Sequence, residues 1–294
     1  MSYKPDLVYE SNSYYLEEKL LVFNDPTIYL QQYIDIPDGW ESETPPSHPD
    51  VIRYLKNIEN SENIALGFYR MYSDAKKVAI DLGSWIGFHS VVMAKLNKKL
   101  ISVECDPISM RNTKYNLDLN DCCNYTIWDK PISKEHSIVT FGANTFAGSQ
   151  GCWNGSCSMV QTNPIQYEKT NHGYEAHPRE MSTITFSDIV NDLNPDEISL
   201  IKIDIEASEE FVLQDILEFC KRKVPVLCSF HIKRNDDGNG WLDWWLDQNL
   251  ENKKFLMEYD YYEVTWENGV MCEIPISDII AYLYKFPLCE IIIK

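Results

Sequence analysis

The residues best suited to chemistry stand directly after two apolar runs in the second half of the chain. The run "ISLIKIDIE" ends with Asp204 and Glu206, and the run "VPVLCSFH" ends with His231. At the carboxyl ends of neighbouring parallel strands, such side chains would line the crevice in which α/β proteins bind ligands. They could remove a proton from a reacting hydroxyl group, or hold a Mg²⁺ or Mn²⁺ ion that polarises it. The sequence leaves both roles open.

A purely structural interpretation of the first run also stands. Lys202, Asp204 and Glu206 alternate, so a strand would place them on one face. Because buried charges need partners, this face either binds a ligand or forms a solvated strand end in which Lys202 pairs with a carboxylate. Glu209 and Glu210 are expected in the first turn of the next helix, where acidic side chains interact favourably with the helix dipole.

A turn bracketed by glycines supplies a second candidate site. In "VAIDLGSWIGFHS", an apolar run leads into Asp81, Gly83 and Gly87 enclose a turn, and a helix-like segment follows. Strand, glycine turn and helix form the unit with which α/β proteins hold nucleotide-like ligands. Glu104 ends the next apolar run, roughly 20 residues further on, where an acidic side chain can accept both ribose hydroxyls.

The composition of this turn favours one class of ligand. The turn lacks the G-x-G-x-x-G pattern of dinucleotide sites and the lysine of a P-loop. It therefore predicts a ligand with a ribose but no pyrophosphate, such as S-adenosylmethionine. The amino group of that ligand could meet a carboxylate or carbonyl near Asp81, and its carboxylate could lie near the backbone N–H groups from Gly87 to His89.

The elements that must position these residues form an α/β pattern. Strands alternate with helices from Val78 onward, which predicts a mostly parallel, twisted sheet with helices on both faces. Residues 1–75 are interpreted as an N-terminal extension that packs on the core and covers a substrate cleft, with a helix at "VIRYLKNIEN". Residues 141–180 show no periodicity and are predicted to be a long insert without regular structure. A Trp-rich helix is predicted at "GWLDWWLDQNL".

Several motifs in order resemble one known family. "IDLGSWIGFHSVVMAK", "VECDP", "YNLDLN" and "LIKIDIEASEEFVL" are similar to the successive motifs of the FkbM-like S-adenosylmethionine-dependent methyltransferases. The resemblance spans about Val78 to His231 and implies a Rossmann-like class I methyltransferase fold, so residues 76–294 are interpreted as a methyltransferase domain. Trp85 stands where the family usually has a small polar residue, and Ala207 replaces a glycine.

The resemblance also implies roles for individual residues. The predicted cofactor contacts are Asp81, Gly83, Ser84, Gly87, His89, Glu104, Cys105, Asp106 and Asp129. The first four would shape the methionine end of the pocket, Glu104 would bind the ribose with Cys105 and Asp106 beside it, and Asp129 would meet the adenine amino group. Trp128 either stacks on that ring or belongs to the core.

Charge and composition limit the partners. The 294 residues include 26 Lys and Arg against 45 Asp and Glu, a formal net charge of −19. Such a field repels nucleic acid and anionic lipid, and no apolar run is long enough for membrane insertion. The acceptor is therefore expected to be a carbohydrate or another small molecule without negative charge. Nine cysteines, an odd number, and the lack of a signal-peptide pattern predict reduced thiols and a cytoplasmic location.

These expectations converge on O-methylation of a sugar hydroxyl, because the family mostly methylates oxygen on glycans, glycolipids and secondary metabolites. The alternatives are a methyltransferase acting on a small-molecule metabolite or a protein, a nicotinamide-dependent oxidoreductase, and a cofactor-binding protein that has lost catalysis. The missing G-x-G-x-x-G pattern disfavours the oxidoreductase.

Overall fold

Eight strands build the central sheet that carries both candidate sites. The computed structural model describes residues 7–10, 13–21, 27–35, 62–146, 159–161, 174–206, 208–231, 255–265, 270–286 and 288–294. Three strands precede the sheet, and they pair with each other in antiparallel order: β1 (Leu7–Glu10), β2 (Ser13–Leu21) and β3 (Thr27–Asp35).

The first half of the central domain alternates helices and strands. Its elements are α1 (Asn63–Tyr72), β4 (Val78–Leu82), α2 (Phe88–Leu96), β5 (Lys99–Val103), α3 (Pro107–Leu119) and β6 (Tyr125–Trp128). Strand β3 lies against α3, so this part of the N-terminal region contacts the core. That the region covers a cleft stays a prediction.

The second half completes the sheet. Its elements are α4 (Phe186–Ile189), β10 (Ile198–Ile203), α5 (Leu213–Cys220), β11 (Val226–His231), β12 (Tyr261–Thr265), β13 (Val270–Ile274), α6 (Ile279–Lys285) and β14 (Leu288–Ile293). The strand order is β13-β12-β14-β11-β10-β4-β5-β6. Strands β11, β10, β4, β5 and β6 are parallel, whereas β14 runs antiparallel between β11 and β12. The sheet is therefore the mostly parallel, Rossmann-like sheet that the sequence predicted.

Helices cover both faces of this sheet, as predicted. Successive side chains of a strand point to opposite faces, and in β4 Ile80 joins a core that contains Ile216 of α5 and Leu283 of α6. Its neighbour Ala79 joins a separate core that contains Val91 of α2. The two buried cores explain why the parallel strands are apolar almost throughout.

Polar residues interrupt the apolar face that α1 and α2 cover. Asp81 of β4 pairs in register with Ser102 of β5 and with Lys202 of β10. All three side chains are buried. Since buried charged groups are tolerated only when they are paired and hydrogen-bonded, this row marks the part of the sheet that positions a site.

The insert between β6 and β10 differs from the prediction. Strands β7 (Ile138–Phe146), β8 (Met159–Gln161) and β9 (Tyr174–Ser182) form an antiparallel sheet in a stretch that was expected to lack regular structure. The stability of a strand depends on its cross-strand neighbours, and β7 pairs with β9 across a long sequence separation, so local periodicity could not reveal it. The helices predicted at residues 51–60 and 240–250 lie outside the described residues.

Among the described residues, no helix is both long enough and apolar enough to cross a lipid bilayer.

Buried polar side chains of α3 hold the glycine turn in place. Asn116 donates a hydrogen bond from Nδ2 to the Ile86 carbonyl over 2.6 Å, and the Thr113 hydroxyl donates to the Trp85 carbonyl over 2.8 Å. The Asn120 side chain donates in turn to the Asn116 carbonyl. The asparagines of "YNLDLN" thus donate hydrogen bonds to one carbonyl of the turn and one of the helix.

We predict that Asn116→Ala lowers the free energy of unfolding by about 1–3 kcal/mol, because the Ile86 carbonyl loses a buried donor. Urea denaturation measures this loss. Lys114→Ala, an exposed position on the same helix, is the control and should change stability by less than about 0.5 kcal/mol. Equal stability of the two variants would contradict the anchoring role.

Candidate active site

Two glycines allow the turn after β4 to approach its neighbours closely. Gly83 has φ +84°, and a Cβ atom there would overlap the Asp204 carbonyl oxygen. Gly87, with φ +87°, precedes α2, and a Cβ would come within 2.7 Å of the Thr113 Cα. Only glycine fits both the backbone conformation and the space. The turn therefore packs closely against Asp204, the residue that follows β10.

Glu104 ends β5 beside this turn. Its carboxylate accepts hydrogen bonds from the Trp85 N–H over 2.8 Å and the Asp106 N–H over 2.9 Å. Burial raises the pKa of Glu104 to about 8, although both N–H groups favour the charged form. A carboxylate has about four acceptor positions, so two remain for further donors. Two remaining acceptor positions match the two hydroxyls of the ribose that the sequence predicted as the ligand of Glu104.

Other predicted cofactor residues have structural partners around the turn. Ser84 is buried and its hydroxyl pairs with the Thr113 hydroxyl over 3.0 Å. Asp106 is buried and caps α3 by accepting the Ser109 N–H. Cys105 lies between Glu104 and Asp106, and burial raises its thiol pKa well above the usual range. These contacts shape the rim of the turn, whereas a cofactor contact for each residue stays a prediction.

Asp129 and His89 differ in their surroundings. Asp129 is exposed just after β6, and its contact with adenine stays a prediction. His89 is buried on α2, where Nδ1 is hydrogen-bonded to the Tyr69 hydroxyl over 2.9 Å and Nε2 is 3.4 Å from the Glu62 carboxylate. Burial lowers the His89 pKa well below its usual value. His89 is thus neutral and fixes Glu62, a contact that its predicted cofactor role did not include.

Lys202 joins the ends of β4 and β10. Its Nζ is 3.7 Å from Asp81, 3.4 Å from Asp204 and 3.2 Å from the Gly83 carbonyl. Burial disfavours the charged ammonium, but Asp204 and Asp81 outweigh burial and raise the Lys202 pKa. Asp81 also accepts from the Ser90 hydroxyl over 2.6 Å, and burial raises its pKa. Of the two carboxylates that the sequence offered as partners, Asp204 and Glu206, Lys202 contacts Asp204, but it is buried rather than part of a solvated strand end. Its contact with Asp81 was not predicted.

Asp204, Glu206 and His231 are brought together beyond the carboxyl ends of β10 and β11. His231 Nε2 is 3.7 Å from Asp204 and 3.9 Å from Glu206. The predicted alternation along one strand is wrong, because β10 ends at Ile203 and Glu206 has φ +53°. The chain turns after the strand, and this turn directs both carboxylates toward His231.

Glu209 completes this group. It is buried in a short 3₁₀ turn, Glu209–Phe211, rather than in the first turn of a helix, and its carboxylate is 3.3 Å from His231 Nδ1. Burial disfavours the charged imidazole, but its hydrogen bond to the Glu209 carboxylate and the charges of Asp204 and Glu206 raise the His231 pKa to about 9. The sequence showed that Glu209 follows a strand, but it did not reveal the contact of Glu209 with His231 on the next strand.

A cleft of about 490 Å³ opens beside this group. Its lining combines acidic, histidine and aromatic side chains: Glu62, Ile64, Asp204, Ser229, Phe230, His231, Tyr282, Phe286, Cys289 and Glu290. Glu290 accepts from the Ser229 hydroxyl over 3.2 Å, and burial raises its pKa to about 7. Asp204 belongs both to this cleft and to the contact with Gly83, so it joins the glycine turn to the cleft.

The sheet is Rossmann-like, and its glycine turn lacks the G-x-G-x-x-G motif that binds a pyrophosphate. The neighbouring strand ends in a carboxylate. Together these features define a class of protein that binds a nucleoside cofactor. Residues 81–261 match the family model described as "Methyltransferase FkbM domain". Since this match covers more than half of the chain, the protein belongs to the FkbM methyltransferase family, and its methyl donor is S-adenosylmethionine. The predicted family and cofactor are confirmed, and the assignment favours methyl transfer over the oxidoreductase alternative.

Distant structural similarities accompany the family match. TYW2 from M. jannaschii in complex with AdoMet is 11% identical, with 98% of this chain and 86% of that chain covered and a TM-score of 0.36. Precorrin-6y C5,15-methyltransferase from Geobacter metallireducens is 11% identical, with coverages of 78% and 85% and a TM-score of 0.36. An rRNA methylase from Streptococcus thermophilus is 10% identical, with coverages of 81% and 95% and a TM-score of 0.38. No curated protein matches the chain significantly.

We predict that Lys202→Met lowers the free energy of unfolding by about 3–5 kcal/mol, because it leaves Asp81 as a buried charge without its partner. The double variant Lys202→Met/Asp81→Asn should regain part of this loss, since it removes both charges. Urea denaturation of both variants measures the effect. A double variant less stable than Lys202→Met would contradict the pairing.

We predict that the affinity for S-adenosylhomocysteine increases about tenfold as the pH rises through the Glu104 pKa of about 8. Ribose hydroxyls donate to the ionised carboxylate, and the ionised fraction grows as the pH rises. Calorimetric titrations from about pH 6.5 to about pH 9 measure this change. Glu104→Gln should bind about 10-fold more weakly and without this dependence, while the exposed Glu258→Gln control follows the wild type. A pH dependence that persists in Glu104→Gln would exclude Glu104 as its source.

Proposed function

We propose that the protein transfers a methyl group to a hydroxyl oxygen of a sugar in a glycan or glycoconjugate. The observation that carries this proposal is the position of Asp204, which contacts the glycine turn on one side and lines the acidic and aromatic cleft on the other. The backbone carbonyl of Asp204 makes the contact with the turn, so the residue whose side chain lines the cleft is held next to the cofactor turn.

The residues around the glycine turn fit the cofactor. The buried Asp81 Oδ1 makes no hydrogen bond among the described residues and faces the Lys202 ammonium at 3.7 Å, so Asp81 supports the glycine turn together with Lys202. Glu104 keeps acceptor positions for a diol. We assign cofactor binding to the set that the sequence singled out: Asp81, Gly83, Ser84, Gly87, His89, Glu104, Cys105, Asp106 and Asp129. When bound, S-adenosylmethionine supplies an electrophilic methyl group on a sulfonium.

The protein's own contribution to the reaction is to orient the acceptor and remove its proton. A sugar hydroxyl is a weak nucleophile, so its proton must leave as it reacts. We assign this task to the group of Asp204, Glu206 and His231. We assign proton removal itself to the Asp204 carboxylate, because the backbone of Asp204 lies against the glycine turn while Lys202 and His231 lie beside its two carboxylate oxygens.

The cleft supports a sugar as the acceptor. Glu62 lies 3.4 Å from His89 Nε2 and Glu290 accepts from the Ser229 hydroxyl, and both side chains can accept hydrogen bonds from sugar hydroxyls. Tyr282 offers an aromatic surface on the same cleft. These carboxylates and the net charge of −19 disfavour anionic acceptors.

We predict that Asp204→Asn lowers methyl transfer by about 10²- to 10⁴-fold, because the amide cannot accept the proton. Transfer of labelled methyl from S-adenosylmethionine is measured on a panel of neutral oligosaccharides, proteins and amines. Binding of S-adenosylhomocysteine should change less than about twofold in this variant, and Glu258→Gln should behave as the wild type. Label found on protein or nitrogen, or full activity of Asp204→Asn, would overturn the proposal.

A further inference from the structure

The group beside the cleft has the composition of a metal site. Asp204, Glu206 and His231 each offer one ligand atom, and these atoms lie within 4.8 Å of one another. They come from two chain segments, the turn after β10 and the end of β11. We propose that this group binds a divalent cation of the Mg²⁺ or Mn²⁺ class.

The orientation of the imidazole supports this proposal. Glu209 is buried, held by the Ile205 N–H over 3.2 Å, and it lies 3.3 Å from His231 Nδ1. Nδ1 therefore faces Glu209 while Nε2 faces the two other carboxylates. Metal-binding histidines are usually fixed in this way, with the second ring nitrogen bonded to a carboxylate outside the coordination sphere. Because a ligating nitrogen must be unprotonated, the cation replaces the Nε2 proton of His231, whose pKa is about 9.

The donor types favour one class of cation. The separations of 3.7 and 3.9 Å from Nε2 to the carboxylates lie between those of adjacent and opposite ligands around a six-coordinate ion with bonds of about 2.1–2.4 Å. The side chains must therefore move closer together to occupy adjacent positions around the ion. Two carboxylates suit Mg²⁺ and Mn²⁺, and the imidazole favours Mn²⁺ of the two.

The surroundings of the group attract a cation. Lys202 lies against the other oxygen of Asp204, Oδ2, and leaves Oδ1 on the His231 side. Glu62 and Glu290 add negative charge across the same cleft, and a cleft with one sign of charge raises the local concentration of counter-ions. All three ligands are partly exposed, and Asp204 and His231 line the cleft, so the remaining coordination positions are open to water or to an acceptor hydroxyl.

A cation here would bind and polarise the acceptor hydroxyl, which lowers the pKa of that hydroxyl. This use of the site rests on the proposed function, whereas cation binding itself does not. The two can therefore fail separately.

The test uses the full chain after treatment with a chelator and dialysis. Titration with MnCl₂, followed by the electron paramagnetic resonance signal of free Mn²⁺, should show one saturable site, and added Mg²⁺ should compete for it. Glu206→Gln should weaken Mn²⁺ binding at least about tenfold, and Glu209→Gln about tenfold through loss of the imidazole orientation. The exposed Glu258→Gln is the matched control and should bind as the wild type does.

Circular dichroism shows whether each variant is folded. If the buried Glu209→Gln variant unfolds, Glu206→Gln, which changes a partly exposed side chain, tests the metal site on its own. Absence of saturable Mn²⁺ binding, or equal binding by wild type and folded Glu206→Gln, would overturn the metal site. Because Mn²⁺ binding is measured without acceptor or methyl donor, its result is independent of whether the protein methylates sugars.

Discussion

The close contact between the ends of β4 and β10 is the constraint on which both sites depend. Gly83 lies against the Asp204 carbonyl at a distance that excludes any side chain. Lys202 spans the same junction by contacting Asp81, Asp204 and the Gly83 carbonyl. The cofactor turn and the cleft are thereby fixed to one point of the sheet, and Asp204 belongs to both.

This junction contains buried charged side chains, and the sheet supplies partners for them. An isolated buried carboxylate is strongly unfavourable, yet Asp81 has the Ser90 hydroxyl and the Lys202 ammonium as partners. The apolar cores on the two faces stabilise the sheet, so a few polar groups can be held at its carboxyl edge. This location agrees with the general rule that ligands bind outside the carboxyl ends of parallel strands.

Local sequence patterns predicted the parts of the site that lie close together in the chain. The glycine turn, the α2 segment and Glu104 follow from spacing alone, because strand, turn and helix each have a local signature. The resemblance to the FkbM family added the cofactor and the order of the motifs. The convergence of His231 with Asp204 was also expected, since both residues end neighbouring parallel strands.

Contacts between distant segments could not be predicted in this way. Glu209 reaches His231 only because the chain forms a 3₁₀ turn where a helix was expected. Glu62 meets His89 through the packing of α1 on α2, and neither residue has a pattern that signals the other. Strands β7 and β9 pair across a long separation, which hides them from any periodicity test.

A crystal structure of the protein with S-adenosylhomocysteine tests the central claim most directly. The account predicts that the ribose hydroxyls contact the Glu104 carboxylate, that the amino acid end lies at the Gly83–Gly87 turn, and that the sulfur faces the cleft beside Asp204. An adenosyl group bound away from Glu104, or a sulfur turned away from Asp204, would contradict the assignment of Asp204 as the residue that joins the two sites.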